Sequence, residues 1–445
     1  MADFKRLKNK IAAAALAVAA FAALPPGGEG TTAFADIDLH TSYIGMNREP
    51  SVIVPPVKTH WSAAMDKHDE LMEQGVAAAG SGKLFVIRGG RLLALEPQTG
   101  QRLWTFGAKL KAPILYEDGV VYTSSESGVL FAADADSGKK LWATGTPSKG
   151  ATRLYVEDGR LLALNGDIQA YRLSDGGLLW RDGYDGQLPG PLLTAGGRVF
   201  ASSEESGAYT YEVLHAFDAV TGKEIWEAAD EGFPIAASDD TVIVQRQQDI
   251  LDKGMLTTLD TIEIATGKTI KTTVYNPEHV DLSQVEYYSP GKAWISGGRV
   301  YIAAGSKVYG YPADGKPDDE ARDAYLSPAP DAVYAAGPQE GRLLFASVQG
   351  IYGVKLINKG PVWYTDGISN PIARFDLIGR GMYVAQTDGR LIAVDLIAGK
   401  AVAQIQTYGR VFGPTLSADG MVAVQTKGKL VVFPEPASLK HDEEE

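Results

Sequence analysis

Leu214-His215-Ala216-Phe217-Asp218, followed by Gly222-Lys223 and then Trp226, decides the fold because the phrase recurs along the chain. Other copies read Leu92-Leu93-Ala94-Leu95-Glu96…Gly100…Trp104 and Leu130-Phe131-Ala132-Ala133-Asp134…Gly138…Trp142. A further copy is Ala170-Tyr171-Arg172-Leu173…Gly176…Trp180, and degenerate ones end at Gly267-Lys268 and Gly399-Lys400 without the Trp. The Trp-to-Trp steps are 38, 38 and 46 residues. A period near ~40 residues with strand-like contents marks repeated supersecondary units stacked on one another.

One unit serves as template. Pro113–Tyr116 reads as a strand, Glu117-Asp118-Gly119 as a tight turn, and Val120–Ser124 as a second strand. Val129–Ala133 is the third strand and Lys140–Ala143 the fourth, after an Asp136-Ser137-Gly138-Lys139 turn. Four antiparallel strands per ~40 residues make a propeller blade. The D-G and S-G turns and the β-branched and aromatic runs suit hairpins. The second-strand signature recurs at Lys83–Val86, Val120–Tyr122, Arg160–Ala163, Arg198–Ala201, Thr241–Val244, Arg299–Ile302, Arg342–Phe345, Gly381–Val384 and Met421–Val424.

The expectation is therefore an all-β, closed β-propeller of four-stranded antiparallel blades. Nine hairpins are counted, whereas propellers typically have about four to eight blades; eight is expected, with seven to nine allowed, because residues 246 to 330 are irregular. The last unit (Gly413–Leu416, Met421–Gln425, Leu430–Phe433) lacks a fourth strand, and Val57–Trp61 supplies an orphan one. Pairing them would close the last blade and remove an open sheet edge. Pro113, Pro234, Pro371 and Pro414 sit at the start of first strands, whose unpaired edge tolerates a missing N–H. In the repeated phrase the Trp is read as packing on the neighbouring blade, the Gly as a positive-φ turn residue, and the acidic residue as a turn cap.

The ends of the chain read differently. Lys5, Arg6, Lys8 and Lys10 precede the apolar run Ile11–Leu24, which is too short for a ~30 Å bilayer core, and Ala33-Phe34-Ala35 fits a signal-peptidase site. Residues 1–35 are expected to be a signal peptide, 36–56 a polar segment, 57–437 the propeller and 438–445 an acidic tail. Cysteine is absent, which excludes disulfides, thiolate metal sites, a catalytic thiol and a lipoprotein anchor. Removing residues 1–35 lowers Lys+Arg from 42 to 38 and Asp+Glu from 55 to 53, so the net charge moves from −13 to −15. Such a surface repels phosphate backbones, which argues against nucleic acid as a partner.

Leu93–Trp104 and His215–Trp226 resemble the pyrroloquinoline-quinone-type repeat, "V-x-A-L-D-x-x-T-G-x-x-x-W". The resemblance covers about four fifths of the chain and implies the propeller of the quinoprotein alcohol dehydrogenase-like superfamily. Families with the repeat include quinoprotein alcohol dehydrogenases and the propeller lipoprotein of the outer-membrane assembly machinery. The dehydrogenase branch implies a vicinal disulfide and a quinone-bound calcium ion, and the lipoprotein branch an anchoring cysteine. Neither cysteine feature exists here, so the fold transfers and neither specific function does.

Other chemistry is sparse. Asp134–Gly138 superficially resembles a calcium loop but lacks the remaining ligands and sits on the repeat turn. The six histidines (His40, His60, His68, His215, His279, His441) show no metal-ligand spacing, and no G-x-S-x-G or phosphate-cradling loop occurs. Gly315–Pro328, with Asp318-Asp319-Glu320 and Arg322, reads as a surface insertion or docking loop. The expected function is an exported, monomeric, non-catalytic platform that binds a protein or envelope component, with no catalytic residue, metal ligand or cofactor assigned. Loops entering the first strands should carry the binding surface, with Tyr184, Phe233, Asn370 and Arg410 as ligand-binding candidates. The alternatives are a pyrroloquinoline quinone- and calcium-dependent oxidoreductase and a cell-surface carbohydrate-binding protein.

Overall fold

The computed structural model describes residues 53–67, 74–145, 150–184, 186–206, 210–248, 254–317, 322–348 and 350–440. The expected signal peptide, nearly all of the 36–56 segment and residues 441–445 lie outside this set. Among the described residues nine four-stranded antiparallel sheets succeed one another, spanning residues 77–106, 110–143, 153–181, 193–229, 236–275, 292–326, 333–364, 372–406 and 412–434. The strand Trp61–Ala64 completes the ninth. The fold is an all-β propeller of nine blades, not the eight preferred from typical blade numbers. The irregular stretch after residue 246 holds the second half of the fifth sheet and all of the sixth, and Asp323–Leu326, inside the expected insertion, is the fourth strand of the sixth. All nine second-strand signatures are second strands.

The last sheet is completed as expected, with Trp61 opposite Val432 and Ala63 opposite Leu430. The pairing strand is Trp61–Ala64 rather than Val57–Trp61. Residues 55–57 are held elsewhere: Val57 N–H donates to Gln404 O at 2.8 Å and Gln404 N–H to Pro55 O at 3.0 Å. That stretch therefore covers the outer edge of the eighth sheet's fourth strand, Lys400–Gln406, before crossing to the ninth. Two free edges are protected by one short segment. Leu439, in the segment expected as an acidic tail, is buried against Tyr383 and Phe433.

The described residues fall into two compact units. One holds residues 164–170 and 179–326; the other holds those before 164, 171–178, and 327 onward. The third sheet's strands divide between them. Second strands are buried on both faces, as in Leu84-Phe85-Val86-Ile87, because each sheet is covered on both sides; this is why they read as continuous apolar runs. Fourth strands alternate instead, as in Arg102–Phe106, since one edge and one face meet solvent. Pro113 and Pro414 lie at register shifts in the edge strands Leu110–Glu117 and Phe412–Ala418, and Pro371 directly precedes Ile372–Ile378. No donor is missed there.

The repeated Trp joins neighbouring sheets. Trp61, Trp104, Trp142, Trp180 and Trp226 donate Nε1–H to Pro97, Ala135, Leu173, Ala219 and Ile264 carbonyl oxygens at 2.7–3.1 Å. Each acceptor sits in the third turn of the following sheet. The glycine of that turn lies flat under the ring: a Cβ on Gly100, Gly138, Gly176, Gly222 or Gly267 would stand 2.4–2.7 Å from indole atoms. These glycines also have φ between 68° and 73°, so both the turn and the close approach require glycine. The acidic residue of the phrase caps the same turn, as Asp134 does by accepting from Ser137 N–H and Oγ, and Asp218 from Thr221. Hydroxyl donation by Ser137, Thr221 and Thr99 holds the Asp134, Asp218 and Glu96 carboxyls below their ordinary range. The loop at Asp134 is the capped turn of the repeat.

Where the Trp is missing the dock is rebuilt. Tyr364 Oη donates to Leu396 O at 2.9 Å, and Val362 lies over Gly399. The adjacent Trp363 points outward, about half exposed. Replacing Trp104 by Ala should cost about 3–5 kcal/mol, the usual penalty for truncating a large packed aromatic. Leu103→Ala, one residue earlier and half exposed, should fall within about 0.5 kcal/mol of wild type. Urea unfolding of the two variants checks the contrast.

Candidate functional site

In each four-stranded sheet the turn between strands two and three and the connectors before strand one and after strand four share one end, because neighbouring strands run antiparallel. The four residues expected to bind ligand all lie at that end. They gather as two pairs, each flanking the inner hairpin of a single sheet.

The first pair flanks the fourth sheet. Its inner hairpin, Arg198–Ser206 with Thr210–Asp218, has two nine-residue strands paired from Arg198↔Asp218 to Ser206↔Thr210. Strand alternation puts Ser203 and Glu205 on one face, and Ser202 and Glu204 on the other. Tyr184 covers the first face: its hydroxyl donates to Glu205, and its ring lies 4.6 Å from that of His215. Phe233 flanks the second face, where its backbone N–H reaches Glu212. Burial raises the Glu212 carboxyl, and the charge of Glu204, its cross-strand partner, adds to the shift. Glu205 is held low by the Tyr184 and Ser203 hydroxyls.

The second pair flanks the eighth sheet at its 387–389 turn. Asn370 is fixed by its N–H to Gln386 Oε1 at 2.8 Å and by Nδ2 to Asp388 Oδ2 at 2.9 Å. Arg390 Nε holds the same Asp388 oxygen. On the other side Thr407 donates from N and Oγ1 to Gly389 O at 2.8 and 2.7 Å. Gly389 has φ 88°, and a Cβ there would lie 2.8 Å from Gly409 O. The loop is thus tied down at its base while Tyr408, 83% exposed with φ 61°, Arg410 and Val411 project to solvent. The same end of the second sheet carries an open cleft of about 450 Å³ lined by Lys109, Ser125, Glu126, Ser127 and Phe131.

Several polar residues near these places were not singled out from sequence. His215 is 1% exposed, with Nε2 2.8 Å from Ser203 Oγ and Nδ1 2.6 Å from Glu224 Oε1. It occupies the position that Leu93 and Phe131 fill in other copies of the phrase, and that polar break is the signal that could have found it. Glu231, 7% exposed, follows the fourth sheet's last strand. Burial first, and then the charge of fully buried Asp260, push its carboxyl up to about 8. Asp260 is itself held by Arg246 Nε at 2.8 Å and by Thr272. Nothing in the local sequence joins Glu231 to Asp260.

The nine sheets and their glycine-docked aromatics define a repeat propeller with its polar features in connecting loops. A family model described as outer membrane protein assembly factor BamB matches residues 58–154, 88–181 and 164–405, and the chain belongs to that family of pyrroloquinoline-quinone-type repeat propellers. Quinoprotein glucose dehydrogenase A of Acinetobacter calcoaceticus is 30% identical over 155 residues, which cover 31% of this chain and 19% of that protein. Outer membrane protein assembly factor BamB of Yersinia pestis is 29% identical over 108 residues, 21% of this chain and 28% of that protein. The chain thus matches less than a third of either relative's length. Quinohemoprotein alcohol dehydrogenase of Comamonas testosteroni superposes with a TM-score of 0.46 at 14% identity, covering 97% of this chain and 85% of that one.

The resemblance of the repeat to that of quinoprotein dehydrogenases implies a quinone with a calcium ion. Among the described residues one group of three or more His, Asp or Glu side chains converges within metal-binding distance, His215 with Glu224 and Glu227. One imidazole and two carboxylates do not supply the six to eight oxygens calcium takes. The donor set does not fit the cofactor, and no step is assigned to it.

Glu231 gives a pH signature. Its carboxyl ionises near the ordinary range when unfolded and near 8 when folded, so the unfolded chain releases the proton first and stability falls as pH rises between those values. Glu231→Gln should match wild type at pH 4 and exceed it by about 2 kcal/mol at pH 9. Thermal melts across pH 4–9 read the difference.

Proposed function

We propose that this protein is an exported, non-catalytic platform that binds a protein component of the cell envelope through its connecting loops. The observation that carries this reading is the loop Thr407–Val411. An aromatic ring, a guanidinium and a branched aliphatic side chain stand exposed in a row on a backbone anchored to the 387–389 turn. Tyr and Arg are the residue types most enriched at interface hot spots, and a pre-ordered loop loses little entropy on binding. Asn370, held against Asp388 on the other side of the same turn, offers a polar rim.

Two further points support the reading. The matching family is described by the name of an outer membrane assembly factor. Among the described residues, no helix is long and apolar enough to cross a membrane. Export rests on the basic-apolar-small pattern of residues 1–35, and the absence of cysteine leaves no lipid-anchor site in this sequence. The domain scheme of a leader, a short polar segment and one propeller body belongs to the same proposal. The protein acts as a monomer in this reading, without a cofactor.

Immobilised wild type should retain an envelope protein from a detergent extract, and Tyr408→Ala combined with Arg410→Glu should reduce retention at least tenfold without changing the melting temperature. Equal retention by wild type and the double variant would remove the loop from the function. Dye reduction appearing on addition of pyrroloquinoline quinone and calcium would move the protein to the oxidoreductase class.

A further inference from the structure

The environment of His215 points to a bound cation. The strands Thr210–Asp218 and Glu224–Ala229 pair with His215 opposite Glu227, then Ala216 opposite Trp226, then Phe217 opposite Glu224. Ile225 is the extra residue of that register shift. Glu224 and Glu227 are three apart and in a regular strand would face opposite sides of the sheet. The bulge re-phases the strand and turns both carboxylates to the face carrying the imidazole. Ligand atoms of His215, Glu224 and Glu227 all lie within 4.8 Å of one another, with His215 buried, Glu224 half-buried and Glu227 exposed.

Hydrogen-bond direction outside this trio fixes the imidazole. Glu205 accepts from the Tyr184 hydroxyl and from Ser203 Oγ at 3.1 Å, and both bonds keep it ionised, so it is an acceptor only. The Ser203 proton is committed to Glu205, and its oxygen lone pair faces His215 Nε2 at 2.8 Å. Nε2 therefore donates to Ser203 Oγ. Nδ1 faces Glu224 Oε1 at 2.6 Å, so a carboxylate stands against the nitrogen that Ser203 leaves available. Without metal a proton bridges that contact, and a cation binding at Nδ1 takes its place.

We propose that His215 Nδ1, Glu224 and Glu227 bind a divalent first-row cation of the Zn²⁺ type. One neutral imidazole and two carboxylates form a mixed nitrogen and oxygen set suited to Zn²⁺ and its neighbours rather than to calcium. A second ring nitrogen held by a hydroxyl–carboxylate chain is the usual outer support of a metal-bound histidine, here Ser203 with Glu205 and Tyr184. Exposure of Glu227 leaves a coordination position open to solvent. The site is independent of the platform reading and lies within the fourth sheet.

Isothermal titration of the metal-stripped full chain with ZnCl₂, and the visible spectrum with CoCl₂, test the assignment. One equivalent should bind with a micromolar or tighter Kd, Co²⁺ should give d–d bands, and the melting temperature should rise with Zn²⁺. Glu227→Gln, an exposed change, should weaken binding at least tenfold and abolish the thermal shift while leaving the metal-free melting temperature unchanged. Ser203→Ala should weaken binding several-fold. Absence of binding at 100 μM Zn²⁺, or equal affinity in wild type, Glu227→Gln and Glu224→Gln, would overturn the proposal.

Discussion

An indole ring lying on a neighbour's glycine is the contact on which this architecture depends. Each docked Trp removes a large apolar surface from water, worth roughly 1.5–3 kcal/mol, and its N–H satisfies a carbonyl of the next sheet's turn at a further ~1 kcal/mol. The contact is also a ruler. The glycine must be left-handed to make the turn and bare to admit the ring, and the acidic residue four positions earlier must cap the turn to hold the carbonyl in place. One side chain thereby sets the spacing of consecutive sheets, which is why the phrase survives in sheets whose other residues differ.

That arrangement separates stability from variation. Sheet-to-sheet contacts sit with the fourth strands and third turns, while the connectors at the other end of the fourth strand are free to diverge. The eighth sheet uses this freedom to display Tyr408 and Arg410 on a loop fixed at Thr407 and Gly389. The fourth sheet uses it to extend its inner hairpin and place Tyr184 and Phe233 on its two faces. Both sets of residues stand where the repeat makes no demand on the side chain. Buried carboxyls appear at the same end: Asp260 and Glu231 lie close together with one arginine, an arrangement costly in stability that no packing requirement explains.

Legibility in the sequence followed the range of the interaction. Second strands were readable because both their faces are buried, so each opens on a continuous apolar run and no phase is needed. The docking phrase was readable because glycine, cap and ring are close in sequence, although the ring packs on the following sheet's glycine rather than its own. Blade number was harder, since the fourth strands of the fifth and sixth sheets, Thr269–Tyr275 and Asp323–Leu326, carry no Trp. The closing strand was found through its Trp. Its limits were not, because Pro55–Val57 is captured by the edge at Gln404, a contact nearly 350 residues away in sequence.

The sequence by itself determined the repeat, the strand order within each sheet and the identity of the inter-sheet dock, because each follows from local periodicity and turn chemistry. Only the tertiary structure decided that nine sheets form and that His215 meets Glu224 and Glu227. The latter depends on a single bulge at Ile225, which reverses the facing of one carboxylate. Strand phase is a cumulative property of backbone pairing, and one extra residue changes it without leaving a signature in composition.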